Sequence, residues 1–336
     1  MTLLTVFYRR VGLNRELVFA SDSRLGGNGQ RMDYGQKLFE TPRSDALVAW
    51  AGDTQYAYPL MMQMLRAIEG YPNSVDRRLP LPRLAGHTLR VFQQTYDAIH
   101  GYENWTSQPD PPDNFFLLGG FDWQAKDFRA WGVVFNGARG KFEYRRVIRA
   151  DGYQFHFAGD NAVAVKQATH HTLRLLRQRG KRTTEIDMEP FEALCEIIED
   201  TDRVYDSIGG APQLGKVYEH LNTQLFQVLW DAPKEPTSED PSTFRTVGHV
   251  AGRPLLPNER CVLPLYDRQR GFWTPWGDRL RAPHMGDAVS NDAMDEERDL
   301  PTAEVRVDAD VPGAAEQGEP TDRTLTGADP GRRRRR

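Results

Sequence analysis

LVFASDSRLGGNGQRMDYGQKLFE, residues 17–40, is the stretch of this 336-residue chain that decides the fold. It begins and ends with apolar segments of the kind that form strands, and glycines and polar residues lie between them. Asp22 lies at the end of the first predicted strand, and Lys37 lies at the start of the second. The stretch therefore raises the question of what an aspartate and a lysine do at neighbouring strand ends.

The elements predicted around this stretch alternate between groups of strands and pairs of helices. Strands are predicted over 2–10, 15–22, 36–41, 45–53, 114–122, 127–136, 141–147 and 153–160, with a further turn and strand over 207–221. Helices are predicted over 54–71, 84–102, 161–180 and 187–206. Runs of strands followed by runs of helices predict an α+β fold in which two sheets lie between helix pairs.

Composition excludes several classes of protein. The net charge of −4 provides no basic field for nucleic acid, and no apolar run is long enough for a membrane helix. The N-terminus lacks a signal peptide, so a cytoplasmic protein is expected. Cys195 and Cys261 form no CxxC pair, and no phosphate-binding or dinucleotide motif occurs. No cofactor and no metal site are predicted.

The chain divides by composition into a folded part and a tail. Residues 1–276 are predicted to form the folded domain, although the pattern becomes less regular after residue 224. Residues 277–336 are acidic, rich in glycine and proline, and end in a run of arginines. That composition predicts a disordered tail.

Several short motifs occur in a fixed order. They are a threonine directly behind Met1, then ASDSR (20–24), QKLFE (36–40), AWAGD (49–53), FFLLGGFD (115–122) and FHFAGDNAVAVKQA (155–168). In this order and spacing, the chain over about residues 1–220 resembles proteasome β-type subunits, and especially their bacterial single-subunit relatives. These are N-terminal-nucleophile hydrolases. The resemblance implies a four-layer αββα sandwich, a homo-oligomeric ring and a peptide or protein substrate. It leaves open whether an ATP-dependent unfoldase is a partner.

The resemblance also implies a catalytic set of Thr2, Asp22 and Lys37. A threonine hydroxyl needs a base to remove its proton, and a chain-terminal threonine carries one in its own α-amino group. A nearby lysine favours the neutral amine and lowers the pKa of the hydroxyl, and an aspartate holds that lysine charged and oriented. Trimming of Met1 by the cell's aminopeptidase would expose the amine. Gly52 matches the glycine turn that supplies donors to the oxyanion.

Further positions follow from the same resemblance. Gly159 and Asp206 are expected to support the catalytic set, and Trp50 falls where the family lines its substrate pocket. A tryptophan there is expected to make the pocket shallow or closed. The chain departs from the family pattern at Asp160, where a small polar residue is usual, and at Gly209, where a serine is expected.

Other interpretations remain open. Thr5 is a rival nucleophile that would require cleavage after Leu4. Asp22 and Lys37 could be an ordinary surface ion pair, although their placement between apolar strands favours a catalytic one. The chain could also be a non-catalytic scaffold that keeps the fold, or an amidase that acts on small substrates rather than on peptides.

Overall fold

A computed structural model of the chain describes residues 2–27, 29–99, 110–148, 154–200, 207–231, 246–256 and 259–273. The first half runs in the order β1 (Leu3–Val11), β2 (Asn14–Ser21), β3 (Leu25–Gly27), β4 (Gln30–Met32), β5 (Leu38–Glu40), β6 (Ala46–Gly52), α1 (Thr54–Glu69), α2 (Pro72–Val75) and α3 (Leu81–Asp97). The second half runs in the order β7 (Asn114–Asp122), β8 (Asp127–Asn136), β9 (Lys141–Arg146), β10 (Phe155–Gly159), α4 (Ala162–Gln178), α5 (Glu189–Glu199), β11 (Gln213–Tyr218), β12 (Asn222–Asp231), β13 (Thr246–Val250), β14 (Arg253–Pro254), β15 (Leu265–Asp267) and β16 (Gly271–Trp273).

Two large sheets are built mainly from antiparallel pairs. The first has the strand order β10-β1-β2-β11-β12-β13-β14, and β15 joins β12 in parallel while pairing with β16. The second has the order β5-β6-β7-β8-β9. The chain is thus a mixed α+β protein, as the sequence predicted.

Apolar residues of the described ranges form three buried clusters. One joins the first sheet to α4 and α5, and another joins the second sheet to α1 and α3. The third contains residues of both sheets, such as Phe19 of β2 and Ala49 of β6. Side chains along β6 alternate between the last two clusters, because successive residues of a strand point to opposite faces. The αββα order of layers stays a prediction.

Several predicted boundaries were wrong. Helix α3 begins three residues earlier than expected, at Leu81, with prolines at its start, and it ends at Asp97. The region around 25–32, predicted as a glycine-rich loop, contains the short hairpin β3–β4, in which Leu25 pairs with Met32 and Gly27 pairs with Gln30. No helix in the described ranges is both long and apolar enough to cross a bilayer. The tail predicted over 277–336 lies outside the described residues.

Candidate active site

Thr2 lies between the ends of two strands that flank β1. Leu3, the first residue of β1, is opposite Gly159 of β10, and Leu4 is opposite Ser21 of β2. Because both pairings are antiparallel, the residues that follow β2 and β10 lie on either side of Thr2. Those residues are Asp22 and Asp160, so the register brings a carboxylate to each side of the predicted nucleophile.

Lys37 completes this arrangement from the second sheet. Its Nζ lies 2.8 Å from Thr2 Oγ1 and 2.9 Å from Asp22 Oδ1. The side chains of Lys37 and Asp22 are fully buried, and Thr2 is 2% exposed. The structure thus brings the three predicted catalytic residues together, and the Asp22–Lys37 pair is buried rather than a surface ion pair.

Asp22 is surrounded by donors on both carboxylate oxygens. Oδ1 accepts from the backbone N–H of Leu3 at 3.0 Å as well as from Lys37. Oδ2 accepts from the N–H groups of Arg24 and Gly209, both at 3.2 Å. Burial raises the pKa of Asp22, while the charge of Lys37 and the backbone donors oppose that rise. The donors fix the carboxylate in one orientation, toward Lys37.

Burial and a neighbouring charge also act in opposite directions on the pKa of Lys37. Burial lowers the pKa of its ammonium group, and the carboxylate of Asp22 opposes the lowering. The charge of Asp160 also favours the ammonium form, whereas the charge of Arg24 disfavours it. A lysine whose pKa is lowered, in contact with a hydroxyl oxygen, can exchange a proton with that hydroxyl more readily than an exposed lysine can.

Gln213 is a site residue that the sequence analysis missed. It is buried at the start of β11, and its Oε1 accepts from the N–H groups of Lys37 and Leu38 at 3.1 and 3.2 Å. Its Nε2 donates to the carbonyl of Gly35 at 2.7 Å. One amide therefore joins the first sheet to the segment that carries Lys37. A glutamine in a strand gives no motif, so only the packing of the two sheets reveals it.

Two predicted glycines lie where a side chain could not fit. Gly52, at the end of β6, has a φ of +108°, and a Cβ there would lie 2.1 Å from the carbonyl oxygen of Asp113. A Cβ on Gly159 would lie 2.2 Å from the carbonyl oxygen of Thr2. Gly159 thus allows β10 to approach the predicted nucleophile closely. A role for Gly52 toward an oxyanion stays a prediction.

Trp50 is buried on the helix side of β6. Its ring packs edge-on against Tyr58 of α1, with centroids 5.0 Å apart. The backbone N–H of Trp50 donates to the carbonyl of Lys37 at 3.1 Å, so the backbone of Trp50 lies beside the segment that carries Lys37. Lining of a substrate pocket by Trp50 stays a prediction. Asp206 lies outside the described residues.

Thr5 lies inside β1, away from the strand end. It is fully buried, and its Oγ1 donates to the carbonyl of His156 on the neighbouring strand at 3.1 Å. Its hydroxyl is thus part of the pairing between β1 and β10. The contacts to Lys37 and Asp22 are instead made by Thr2 and Leu3.

Arg24 accounts for the glycine at position 209. A Cβ on Gly209 would lie 2.4 Å from Cζ of Arg24, so the guanidinium fills the space that a side chain at 209 would need. The same guanidinium donates from Nε to Asp33 Oδ1 at 2.6 Å and from Nη2 to Asp33 Oδ2 at 3.1 Å. A bidentate pair of this kind is rigid. Arg24, whose role the sequence left open, therefore packs against Gly209, and the N–H of Gly209 donates to Asp22.

The described part of the chain contains no set of side chains that could bind a metal ion. No group of three or more His, Cys, Asp or Glu side chains there could hold a metal ion. The described site contains groups that can take part in proton transfer, namely the hydroxyl of Thr2, the side-chain nitrogen of Lys37 and the carboxylates of Asp22 and Asp160.

Comparisons with known proteins give structural similarity only. No protein-family model and no curated protein matches the chain. An Anbu (Gly-1) mutant from Hyphomicrobium sp. strain MC1 is similar, with a TM-score of 0.46 and 14% identity over 67% of this chain and 85% of that chain. The structure of the helical assembly of the Anbu complex from Pseudomonas aeruginosa has a TM-score of 0.46 and 17% identity over 63% of this chain and 79% of that chain.

These findings correct the family expected from the sequence. Assignment to the proteasome β-type subunits, and to their bacterial single-subunit relatives, is wrong, because no family model matches and the two solved structures named above are Anbu proteins. Similarity at this level identifies neither a reaction nor a substrate. The short motifs around Asp22 and Lys37 pointed to side chains that the structure brings into contact with Thr2 or with each other, but they did not give the family, and the catalytic roles of these residues stay predictions.

Proposed function

We propose that the chain is an amide hydrolase whose nucleophile is the hydroxyl of an N-terminal Thr2. The observation that supports this most strongly is the contact of Lys37 Nζ with both Thr2 Oγ1, at 2.8 Å, and Asp22 Oδ1, at 2.9 Å. A buried lysine that a carboxylate orients onto a hydroxyl oxygen lowers the energy of the alkoxide. The proposal requires that Met1 be removed, because only then is the Thr2 nitrogen an amine.

The reaction would proceed in two stages. In the first, the α-amine takes the proton from Thr2 Oγ1 as that oxygen forms a bond to the carbonyl carbon of the substrate. The resulting ammonium then gives the proton to the leaving nitrogen as the carbon–nitrogen bond breaks, which leaves an ester on Thr2. In the second stage, the amine takes a proton from water, the water oxygen attacks the ester, and the acid product leaves with Thr2 Oγ1 protonated again.

The remaining residues have supporting roles in this proposal. Lys37 stabilises the negative charge that develops on Thr2 Oγ1, and Asp22 holds Lys37 in place. The N–H of Gly52 is proposed to donate to the oxyanion of the tetrahedral intermediate. The αββα order of layers, a homo-oligomeric assembly and a cytoplasmic location belong to the same proposal. The Pseudomonas aeruginosa Anbu complex is described as a helical assembly, which favours self-association without specifying its form.

Small amides are a second class of substrate beside peptides. Trp50 is fully buried and its ring packs against Tyr58, while its backbone N–H donates to the carbonyl of Lys37. We propose that Trp50 lines the substrate pocket and that its large ring limits the pocket to substrates with a small group on the acyl side. Peptides with small acyl-side residues would meet the same requirement.

The proposal is tested by chemistry at Thr2. The mass of the N-terminal peptide from protein purified from cells shows whether the chain begins at Thr2. A threonine-directed covalent inhibitor should then modify Thr2, and a panel of fluorogenic peptides and small amides should report hydrolysis. Thr2→Ala should abolish both, while Thr5→Ser, a conservative change at the neighbouring buried threonine, should preserve both.

Three results would overturn the proposal. These are retention of Met1, modification of a residue other than Thr2, and hydrolysis that survives Thr2→Ala. The first would favour a non-catalytic scaffold, because the base would not exist.

A further inference from the structure

Asp160 makes a contact with Thr2 that the proposed mechanism does not use. Its Oδ1 accepts from the Thr2 nitrogen at 2.5 Å. This nitrogen is a peptide N–H while Met1 is attached and becomes the α-amine once Met1 is removed. Asp160 is thus in direct contact with the atom that serves as the proposed base.

The position of Asp160 is fixed by two local features. It follows β10 and precedes Asn161, whose side chain caps α4 by accepting from Val163 and Ala164. Gly159 on its other side permits β10 to approach the carbonyl of Thr2 closely. The carboxylate is therefore carried by a strand end and a capped helix start, both of which restrict its movement.

The charges around the Thr2 nitrogen alternate in sign. In the described part of the chain, Asp160 contacts this nitrogen, Lys37 contacts Thr2 Oγ1, and Asp22 contacts both Lys37 and the N–H of Leu3. The charge of Arg24 also acts on Lys37.

Two further groups near the site have their own partners or stay neutral. Arg24 is paired with Asp33. His156 lies on β10 opposite Val6, and burial lowers its pKa to about 4. His156 is therefore neutral across the range in which a terminal amine titrates.

We propose that Asp160 is the positioning residue for the Thr2 amine: its carboxylate holds that nitrogen beside Thr2 Oγ1 and, by favouring the ammonium form, sets the pH above which hydrolysis begins. This inference rests on the proposed function. A carboxylate within hydrogen-bond distance stabilises a cation, so the amine accepts a proton more strongly than it would without Asp160. The base is active only when it is neutral, and the acid limb of the rate profile must therefore lie at higher pH than in an enzyme with a neutral residue at this position.

The size of the effect follows from the exposure of Asp160. An opposite charge at this distance shifts a pKa by about 1–3 units. Because Asp160 is exposed, water screens part of its charge, and a shift of about one unit is expected.

The test compares Asp160→Asn with the unmodified protein. The pH dependence of acetylation of the Thr2 amine by limiting acetic anhydride, read by mass spectrometry of the N-terminal peptide, reports the titration of the amine without any need for catalysis. In Asp160→Asn, the pH of half-labelling and the acid limb of kcat/KM should both move down by about one pH unit. Asp160→Glu should restore most of the shift.

A matched control shows whether the shift is specific to Asp160 or follows from the removal of any negative charge. Asp97→Asn removes the same charge from the end of α3, where Asp97 contacts Gln93, and it should move neither curve. If Asp160→Asn lowers the rate equally at every pH and leaves the labelling curve in place, Asp160 is only structural and the inference is overturned.

The inference and the proposed function can fail separately. A shifted labelling curve in a protein that hydrolyses nothing would overturn the proposed function alone. Hydrolysis through Thr2 with an unshifted curve would overturn the inference alone, and retention of Met1 would overturn both.

Discussion

Gly252 lies against Ser23, the residue that follows Asp22. A Cβ at position 252 would lie 2.2 Å from Cβ of Ser23 and 2.6 Å from its Oγ, and Gly252 has a φ of +85°. The turn between β13 and β14 thus reaches the neighbour of the buried carboxylate from more than 200 residues further along the chain. Gly210 approaches Ser23 as closely, since its Cβ would lie 2.3 Å from the same Oγ.

Gly252→Ala is therefore expected to damage both stability and activity. The added methyl group must displace Ser23 and thus the backbone next to Asp22, at a cost of about 1–3 kcal/mol for overpacking plus about 1 kcal/mol for the positive φ. The control is Gly271→Ala, because Gly271 has a φ of +80° and a Cβ there would meet nothing within 4 Å. Urea unfolding and kcat would be measured for both variants. Equal losses in the two would show that the contact with Ser23 does not matter.

Most of the elements around the site could be predicted from the sequence. The β-branched and aromatic runs of β1, β2 and β6 identify strands, and the antiparallel pairing of β1 with β2 follows from the short turn between them. Asp22 and Lys37 could be selected because they are ionisable residues directly next to apolar strands. The two residues are only 15 positions apart in the chain, one on each side of the same glycine-rich segment.

The rest of the site depends on contacts between distant parts of the chain. Asp160 reaches Thr2 only because β10 pairs with β1, a pairing over more than 150 residues. Gln213 and Gly252 act through close packing, which leaves no periodic pattern in the sequence. The family could not be settled from short motifs, since each of them contains only a few residues and many folds accommodate such residues.

Lys37→Met is expected to destabilise the protein and to abolish hydrolysis. It leaves the carboxylate of Asp22 buried without its cation, and removal of one partner of a buried pair costs about 3–5 kcal/mol. The double variant Lys37→Met with Asp22→Asn also removes the buried, unpaired negative charge. It should recover at least half of the lost stability, with no recovery of activity. Urea unfolding of both single variants and of the double variant measures the coupling. Additive losses would show that the two residues are not an energetic pair.

His156 should make the stability of the protein fall in mild acid. Burial, together with the smaller effect of the nearby charge of Arg145, lowers its pKa to about 4. The unfolded chain binds a proton at its usual pKa of about 6.5, so the contribution is complete above that pH and is lost as the pH falls from about 6.5 to about 4. We expect His156 to account for about 2 kcal/mol of that loss, reduced from the full linkage value because the ring is partly exposed.

The measurement for His156 is urea unfolding at several pH values between 8 and 4. In His156→Phe the ring is retained without a titrating group, and the decline in stability over this window should be smaller than in the unmodified protein. Parallel curves for the two proteins would mean that His156 is not the group responsible.

Gln213→Leu tests whether the amide that joins the two sheets positions Lys37. The variant leaves two N–H groups and the carbonyl of Gly35 without partners in a buried place, and we expect a loss of about 2–4 kcal/mol in the free energy of unfolding. It also frees the backbone of Lys37, so Nζ no longer has a fixed position beside Thr2 Oγ1. The expected result is a fall in kcat of at least tenfold with little change in KM, because proton transfer depends on this position more than substrate binding does.

Gln224→Leu is the matched control for this change. Gln224 lies on β12, and its Nε2 donates to the neighbouring carbonyl of Leu225. It should retain kcat and lose less than about 1 kcal/mol of stability. A Gln213→Leu protein that is destabilised but keeps its kcat would show that the amide stabilises the contact between the sheets without orienting Lys37. Asp22 alone would then be sufficient to hold the ammonium group on the hydroxyl of Thr2.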